Sequence, residues 1–235
     1  MNELISAFTE RVLDTVFPGG IYCICCGDSL EEASGHGLCA KCVEKMPWAP
    51  ENPFRKYMEE FAFDELYPCL RYGLHSRRIM NALKNGGRPY LARNVAYSLV
   101  ERLSIEEELP DFLVAVPSHP SKMLRRGYNQ AELLAHYTAG LAGLDYVRGA
   151  LIKTENTASM RLADARKRRS MLAKSFAVSE EFKEKCAGGF VCLVDDVVTT
   201  GSTADACARV LKEAGAEKVC VLCYAASSGY RKPEE

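Results

Sequence analysis

The stretch Val191–Thr203, VCLVDDVVTTGST, restricts the fold more tightly than any other part of the sequence. Its four leading apolar residues, Val191 to Val194, read as a strand buried on both faces, because a half-exposed strand would alternate apolar and polar residues. Two adjacent carboxylates, Asp195 and Asp196, stand at the carboxyl end of that strand, and a Thr/Gly/Ser loop leads into a helical pattern from Ser202 to Glu213. Gly215 is placed to stop the helix, and KVCVLCYA (218–225) supplies a second buried strand. A strand, loop, helix and strand in this order form a β-α-β unit, which calls for a parallel sheet with helices packed on it.

Upstream segments extend the same pattern. Leu91, Val95, Leu99 and Leu103 mark one helix, FLVAV (112–116) reads as a buried strand stopped by Pro117, and Leu134, Tyr137, Leu141 and Leu144 mark another helix. Leu66 to Tyr72, with Pro68 inside it, reads as an edge strand, open to cover by the N-terminal module or by another subunit. Residues 153 to 174, with Arg161, Arg166, Lys167, Arg168, Arg169 and Lys174, form a polar, basic excursion from the sheet. Residues 2 to 17 put Ile5, Phe8, Val12 and Val16 on one face of a short helix. Pro47, Pro50 and Pro53 break regular structure, so the domain boundary is placed there, with one domain over 1–50 and the other over 51–235.

Thirty basic residues against thirty-one acidic ones leave a net charge of −1, which excludes a global positive field for nucleic acid or anionic membrane. Any polyanion is bound locally. No apolar run reaches the roughly 18 to 20 residues of a membrane span, so a soluble cytoplasmic protein without export signal or anchor is expected. Eleven cysteines, an odd number in a chain of 235 residues, fit reduced thiols with some on a metal better than a disulfide scaffold.

The cysteines that carry a pattern are Cys23 and Cys26, then Cys39 and Cys42, two C-x-x-C pairs with twelve residues between them. Two such knuckles bring four thiolates to about 2.3 Å around one tetrahedral Zn²⁺, and a closed four-thiolate site is structural. Cys25 and His36 are the rival ligands. Gly35, Gly37 and Ala40 fit G-x-G-x-x-A but follow no strand, which rules out a dinucleotide site. Cys220 and Cys223 form a third C-x-x-C inside a strand, where that spacing points them to opposite faces and assigns them to the core. His75, His119 and His136 share no spacing that suggests a metal or a nucleophile relay.

At the carboxyl end of a parallel strand, the backbone N–H groups and hydroxyls of Thr199, Thr200, Gly201, Ser202 and Thr203 converge on a helix N-terminus, a site suited to phosphate. An ATPase loop is excluded, because G-x-x-x-x-G-K-[ST] and its lysine are absent. Asp195 and Asp196 would repel a phosphate unless they hold hydroxyls or a cation. A ribose 5-phosphate meets both demands, its phosphate on the loop and its 2- and 3-hydroxyls on the carboxylates, directly or through Mg²⁺ and its waters.

These residues resemble the motif with which type I phosphoribosyltransferases recognise 5-phosphoribosyl 1-pyrophosphate (PRPP). Together with AVPSHP (115–120), RRGYNQAELLA (125–135), GAEKVCVLCYA (215–225) and the four-cysteine module, they make nearly the full chain resemble the ComF family. That resemblance implies a phosphoribosyltransferase-like parallel sheet flanked by helices, joined to an N-terminal zinc ribbon, and a role in DNA uptake by competent bacteria. It implies that Asp195 and Asp196 are the catalytic pair, and that Lys84, Pro117, Ser118 and Arg126 join the loop residues in binding PRPP with Mg²⁺. The Val116–His119 loop would face the pyrophosphate, in folds where it often carries a strained or cis peptide, and the 153–174 excursion would close over substrate. Thr199 stands where purine-salvage relatives often carry an aspartate, which disfavours hypoxanthine or guanine as acceptor.

Two functions follow. One is an Mg²⁺-dependent, PRPP-using phosphoribosyltransferase, or a protein that binds PRPP as a ligand, in support of transformation. The alternative is a non-catalytic interaction module for single-stranded DNA or a competence helicase, with a vestigial or regulatory PRPP site.

Overall fold

The computed structural model describes residues 21–31, 34–49, 51–85, 87–154 and 175–227. The expected helix over 2–17 and nearly all of the 153–174 excursion lie outside these residues. Two compact units divide the chain, Met1–Met46 and Pro47–Glu235. In the first, a tight turn at Cys23–Gly27 and the helix α1 (Ala40–Lys45) carry the two cysteine pairs. The Ile24 N–H donates to the Gly37 carbonyl at 2.8 Å, which ties the first knuckle to the approach of the second.

The second unit runs β1 (Glu65–Arg71), α2 (Leu74–Asn85), α3 (Leu91–Ser104), β2 (Phe112–Ala115), α4 (Pro120–Arg126), α5 (Gln130–Ala142), β3 (Asp145–Tyr146), β4 (Leu151–Lys153), β5 (Phe176–Val178), α6 (Glu180–Cys186), β6 (Phe190–Val198), α7 (Ser202–Glu213) and β7 (Lys218–Ala226). Five strands form one sheet in the order β1-β7-β6-β2-β3, every neighbouring pair parallel. β4 and β5 pair antiparallel in a separate ribbon on either side of the basic excursion. The parallel sheet with flanking helices inferred from the sequence is the observed architecture.

Burial explains why β6 and β7 occupy the middle. Val191 to Val194 and Val219 to Cys223 are fully buried, as a strand covered on both faces requires. Each large side chain sequestered there contributes about 1.5–3 kcal/mol. Helix α3 buries Leu91, Val95, Leu99 and Leu103, the stripe expected from its spacing, against α5 and toward β1 and β7.

Helix α5 departs from expectation. Leu141 is exposed, Tyr137 is half-buried, and Leu144 lies beyond the helix, which ends at Gly143. Its buried face is Ala131, Leu134, Ala135, Thr138 and Ala139. Small side chains let α5 approach α3, β2 and β6 closely, and a search for large apolar residues passes over them.

Strand β1 is the expected edge, and the chain itself covers part of it. The Ala49 N–H donates to the Cys69 carbonyl at 3.0 Å, and the Arg71 N–H donates to the Pro47 carbonyl at 2.8 Å, with Trp48 bridged to Leu70. The proline-rich segment thus continues the ladder for a few residues and blunts the edge against foreign strands.

Candidate functional site

The strand carrying the acids is longer than its apolar core suggests. β6 continues through Val198, so Asp195 and Asp196 lie within it rather than at its end. Its neighbour β2 stops at Ala115, opposite Val194, whereas β7 pairs with β6 as far as Val198. Beyond Val194 one side of β6 therefore has no strand partner, and the carboxylates bond to their own backbone. The Asp196 N–H donates to Asp195 Oδ1 at 2.8 Å and the Val197 N–H to Asp196 Oδ1 at 2.6 Å.

Asp196 is 8% exposed, and its second oxygen meets Lys84 from the last turn of α2, Nζ to Oδ2 at 2.5 Å. Burial of the Asp195 carboxyl, reinforced by the neighbouring charge of Asp196, pushes its pKa up to about 8 against the opposing pull of the Asp196 N–H and Lys84. Two carboxyls held beside one ammonium, with one favoured as the neutral acid, leave the site ready to exchange a proton for hydroxyl donors or a cation.

Beside the acids, Asp195 and the residues from Val197 to Ala204 line a small pocket. Thr199 and Thr200 are exposed there, and the Thr200 and Ser202 hydroxyls are 3.0 Å apart. Gly201 is the N-cap of α7 with φ +74° and has no side chain to cap the helix, while the Ser202 N–H meets the Thr200 hydroxyl at 3.4 Å. The first intrahelical bond is Asp205 N–H to the Gly201 carbonyl, so the N–H groups at the helix start converge on the pocket edge.

Glycine is required at 201 twice over. Its φ is left-handed, and a Cβ there would lie 2.8 Å from Phe61 Cε1 and 3.3 Å from Phe54. Phe54, Phe61 and Phe63 stack in sequence, with ring centroids 5.6 and 4.7 Å apart. The Ala62 N–H donates to Asp205 Oδ1 at 2.7 Å, which fastens this aromatic wall to the first turn of α7.

The remaining residues expected at the site lie in the connection after β2. Pro117 and Ser118 are half-buried, and the Ser118 hydroxyl donates to Asn129 Oδ1 at 2.9 Å. Arg126 donates from Nη1 to Gln130 Oε1 at 2.9 Å. Neither Ser118 nor Arg126 hydrogen-bonds to the acids or the threonine–glycine loop. The described residues contain no cis peptide bond and no positive φ outside glycine, so the strained peptide implied for Val116–His119 is absent.

Sequence reasoning assigned no role to Tyr128, Asn129 and Gln130, which hold this region together. Their signal is a polar Tyr-Asn-Gln run that opens a helix, of which Asn129 and Gln130 are only 2% and 3% exposed.

In the first unit, the Sγ atoms of Cys23, Cys26, Cys39 and Cys42 all lie within 4.8 Å of one another. Cys26 and Cys39 are 3.7 Å apart, close to the sulfur–sulfur edge of a zinc tetrahedron with about 2.3 Å bonds. Neither rival ligand, Cys25 or His36, belongs to the cluster. N–H donors from Cys26, Cys39 and Cys25 outweigh burial and bring the Cys23 thiol down to about 7, while Cys26 is pushed up to about 11 and burial raises Cys42.

A larger cavity, about 490 Å³, opens at the amino-terminal end of the strands, with Glu65, Tyr67, Arg102, Glu106, Glu108 and Lys218 in its wall. Arg102 is paired with Glu106 and lies over the Tyr67 ring, and Lys218 reaches Glu108 at 2.6 Å. Among the described residues no helix is long and apolar enough to cross a membrane.

No family model matches the sequence. The DNA utilization protein YhgH of Escherichia coli K12 is 30% identical over 204 residues, spanning 86% of this chain and 82% of that protein. The chain belongs to the ComF/YhgH family. A second member, competence protein F of Haemophilus influenzae Rd, is 25% identical over 226 residues, 94% of this chain and 89% of its own. Among solved structures, the glutamine PRPP amidotransferase of B. subtilis aligns with a TM-score of 0.39 and 21% identity over 55% of this chain and 25% of that one.

Proposed function

We propose that this ComF/YhgH family member binds Mg²⁺·PRPP at the carboxyl end of its sheet and acts as a phosphoribosyltransferase-like protein in the uptake or use of DNA. One observation carries the reading: Asp195, Asp196 and Lys84 converge beside a hydroxyl-bearing loop that leads into the N-terminus of α7. The loop from Thr199 to Thr203 receives the 5-phosphate. Asp195 and Asp196 accept the ribose hydroxyls, and Lys84 with the Val116–Ser118 loop and Arg126 meets the pyrophosphate, which arrives with its magnesium.

Transfer then breaks the bond between C1 and the pyrophosphate oxygen, and the electron pair leaves with pyrophosphate. The acceptor forms the new bond to C1 and gives up its proton. Positive charge developing on the sugar ring is favoured by the Asp196 carboxylate, and by Asp195 once it gives up its proton, while the ammonium and backbone donors favour the leaving anion. The names of the relatives, competence protein and DNA utilization protein, support placing this chemistry beside DNA-processing proteins and single-stranded DNA. The four cysteines hold a structural Zn²⁺, which closes the two knuckles on each other and leaves no open position for catalysis. One zinc per chain, lost when Cys39 and Cys42 are replaced by serine, is the expected result of metal analysis.

Thermal melts with Mg²⁺ alone, Mg²⁺ plus PRPP, and Mg²⁺ plus ribose 5-phosphate test the site. Ligand at about one hundred times its dissociation constant adds roughly 2.7 kcal/mol of stability, so PRPP raises the melting temperature. No shift at millimolar PRPP removes the phosphoribosyl reading.

A further inference from the structure

The turn between α4 and α5 hydrogen-bonds to neither the acids nor the threonine–glycine loop, yet it binds the segment that brings Lys84 to Asp196 and the segment that carries Ser118. α4 closes with Gly127 in the left-handed region, φ +83°, and α5 opens after Asn129. From this turn Tyr128 Oη donates to the carbonyl of Leu83 at 2.5 Å. Leu83 is fully buried in the last turn of α2, where helical carbonyls lack partners of their own. The next residue is Lys84, whose ammonium is the one that meets Asp196.

Asn129 grips the other segment. Its Nδ2 donates to the Val116 carbonyl at 3.1 Å and to Glu132 Oε1 at 3.2 Å, while its Oδ1 accepts from the Ser118 hydroxyl at 2.9 Å and from the Ala131 N–H at 3.2 Å. All four hydrogen-bonding positions of the amide are filled, and the side chain is buried. Across the turn, the Arg126–Gln130 bond joins the end of α4 to the start of α5.

We infer that Tyr128 and Asn129 are positioning residues: the turn acts as a strut that fixes Lys84 through the Leu83 carbonyl and fixes the Val116–Ser118 loop through Asn129, so that both face the same ligand group. Resting on the preceding reading, that group is the pyrophosphate of PRPP. The strut therefore sets affinity for the diphosphate half of the ligand and leaves the ribose 5-phosphate half to the acids and the Thr199–Thr203 loop.

Tyr128→Phe keeps the ring and removes only the bond to Leu83, a change of about 1 kcal/mol or about fivefold in binding. Calorimetric titration of the zinc-loaded full chain should show Mg²⁺·PRPP binding weakened about five- to tenfold, with ribose 5-phosphate affinity unchanged. In a Lys84→Met background, Tyr128→Phe should cost PRPP binding nothing further, because the group it positions is gone. Ser118→Ala gives a second readout with the same ligand split and leaves the Asn129 bond to Val116 in place. Equal weakening toward both ligands identifies a general structural role and overturns the inference, as does a Tyr128→Phe effect that persists without Lys84, or PRPP affinity that does not change. Absence of PRPP binding by the wild-type chain overturns the functional reading and the strut together, whereas tight wild-type binding with an indifferent Tyr128→Phe overturns the strut alone.

Discussion

At the amino-terminal end of the sheet, the cavity wall holds a buried Arg102 paired with Glu106 and, at the surface, Lys218 paired with Glu108. At the carboxyl end, Lys84 pairs with Asp196 but not with the neighbouring Asp195, and the N–H groups of the first turn of α7 face the pocket. The larger void therefore has a buried ion pair in its wall, and the smaller one lies where a carboxyl pair and a helix start meet. The difference comes from strand direction. In a parallel sheet the helix that follows a strand begins at its carboxyl end, so helix N-termini gather there and their dipoles favour an anionic ligand. Charge that remains uncompensated is a better guide to a ligand than cavity volume.

The largest effect expected from this contrast follows replacement of both acids. Asp195→Asn with Asp196→Asn removes both carboxyl groups proposed to hold the ribose, which at about 1.5 kcal/mol each weakens PRPP binding by about a hundredfold or more. Glu106→Gln at the opposite cavity leaves that affinity unchanged, and fluorescence or calorimetric titration of both variants separates the two ends. Next comes Gly201→Ala, which forces a side chain into a left-handed position and against Phe61. A loss of about 2 kcal/mol or more, read as a melting temperature lower by several degrees, is expected along with weaker PRPP binding. A Gly201→Ala protein with wild-type stability would show that the aromatic wall yields freely.

The pH response sharpens the contrast further. The Asp195 carboxyl is raised to about 8 in the folded chain, against an unfolded value near 3.8, so the folded state retains a proton that the unfolded state has lost. Its contribution to stability is complete below pH ~4 and is lost as pH rises toward ~8. In the absence of ligand, the melting temperature of Asp195→Asn should overtake that of the wild type progressively between about pH 5 and 8. Parallel curves would place the Asp195 carboxyl in a more solvated setting. The smallest effect belongs to the amino-terminal end, where Lys218→Met breaks a surface pair with Glu108 and shifts stability by less than about 1 kcal/mol.

The sheet was legible because its strongest signals are local. Four uninterrupted apolar residues before the aspartates, the Ser202–Glu213 periodicity and the stop at Gly215 each specify an element without knowledge of the rest. The four-cysteine cluster was equally plain, since its spacing alone brings the thiols together. The face of helix α5 was only partly legible: Leu134 is buried as its spacing implies, but the rest of the contact face is alanines and a threonine, which periodicity weighted toward leucine and tyrosine misses. The length of β6 was missed for another reason: its strand continues past the acids on the pairing offered by β7, a tertiary effect absent from local sequence. Lys84 was assigned to the ligand from resemblance alone, and its ion pair with Asp196 depends on the placement of α2 against the sheet. The bonds of Tyr128 and Asn129 span forty-five and thirteen positions of sequence, which no local pattern records.

The carboxyl end of the sheet, with Asp195, Asp196 and the Thr199–Thr203 loop, is the proposed PRPP site. Isothermal titration of Mg²⁺·PRPP into the zinc-loaded wild-type chain and into the Asp195→Asn/Asp196→Asn variant, with folding of each checked by circular dichroism, tests it most directly. One binding event per chain in the wild type and none in the folded variant is the predicted result. Equal heats in the two proteins, or no heat in the wild type at millimolar PRPP, would contradict it.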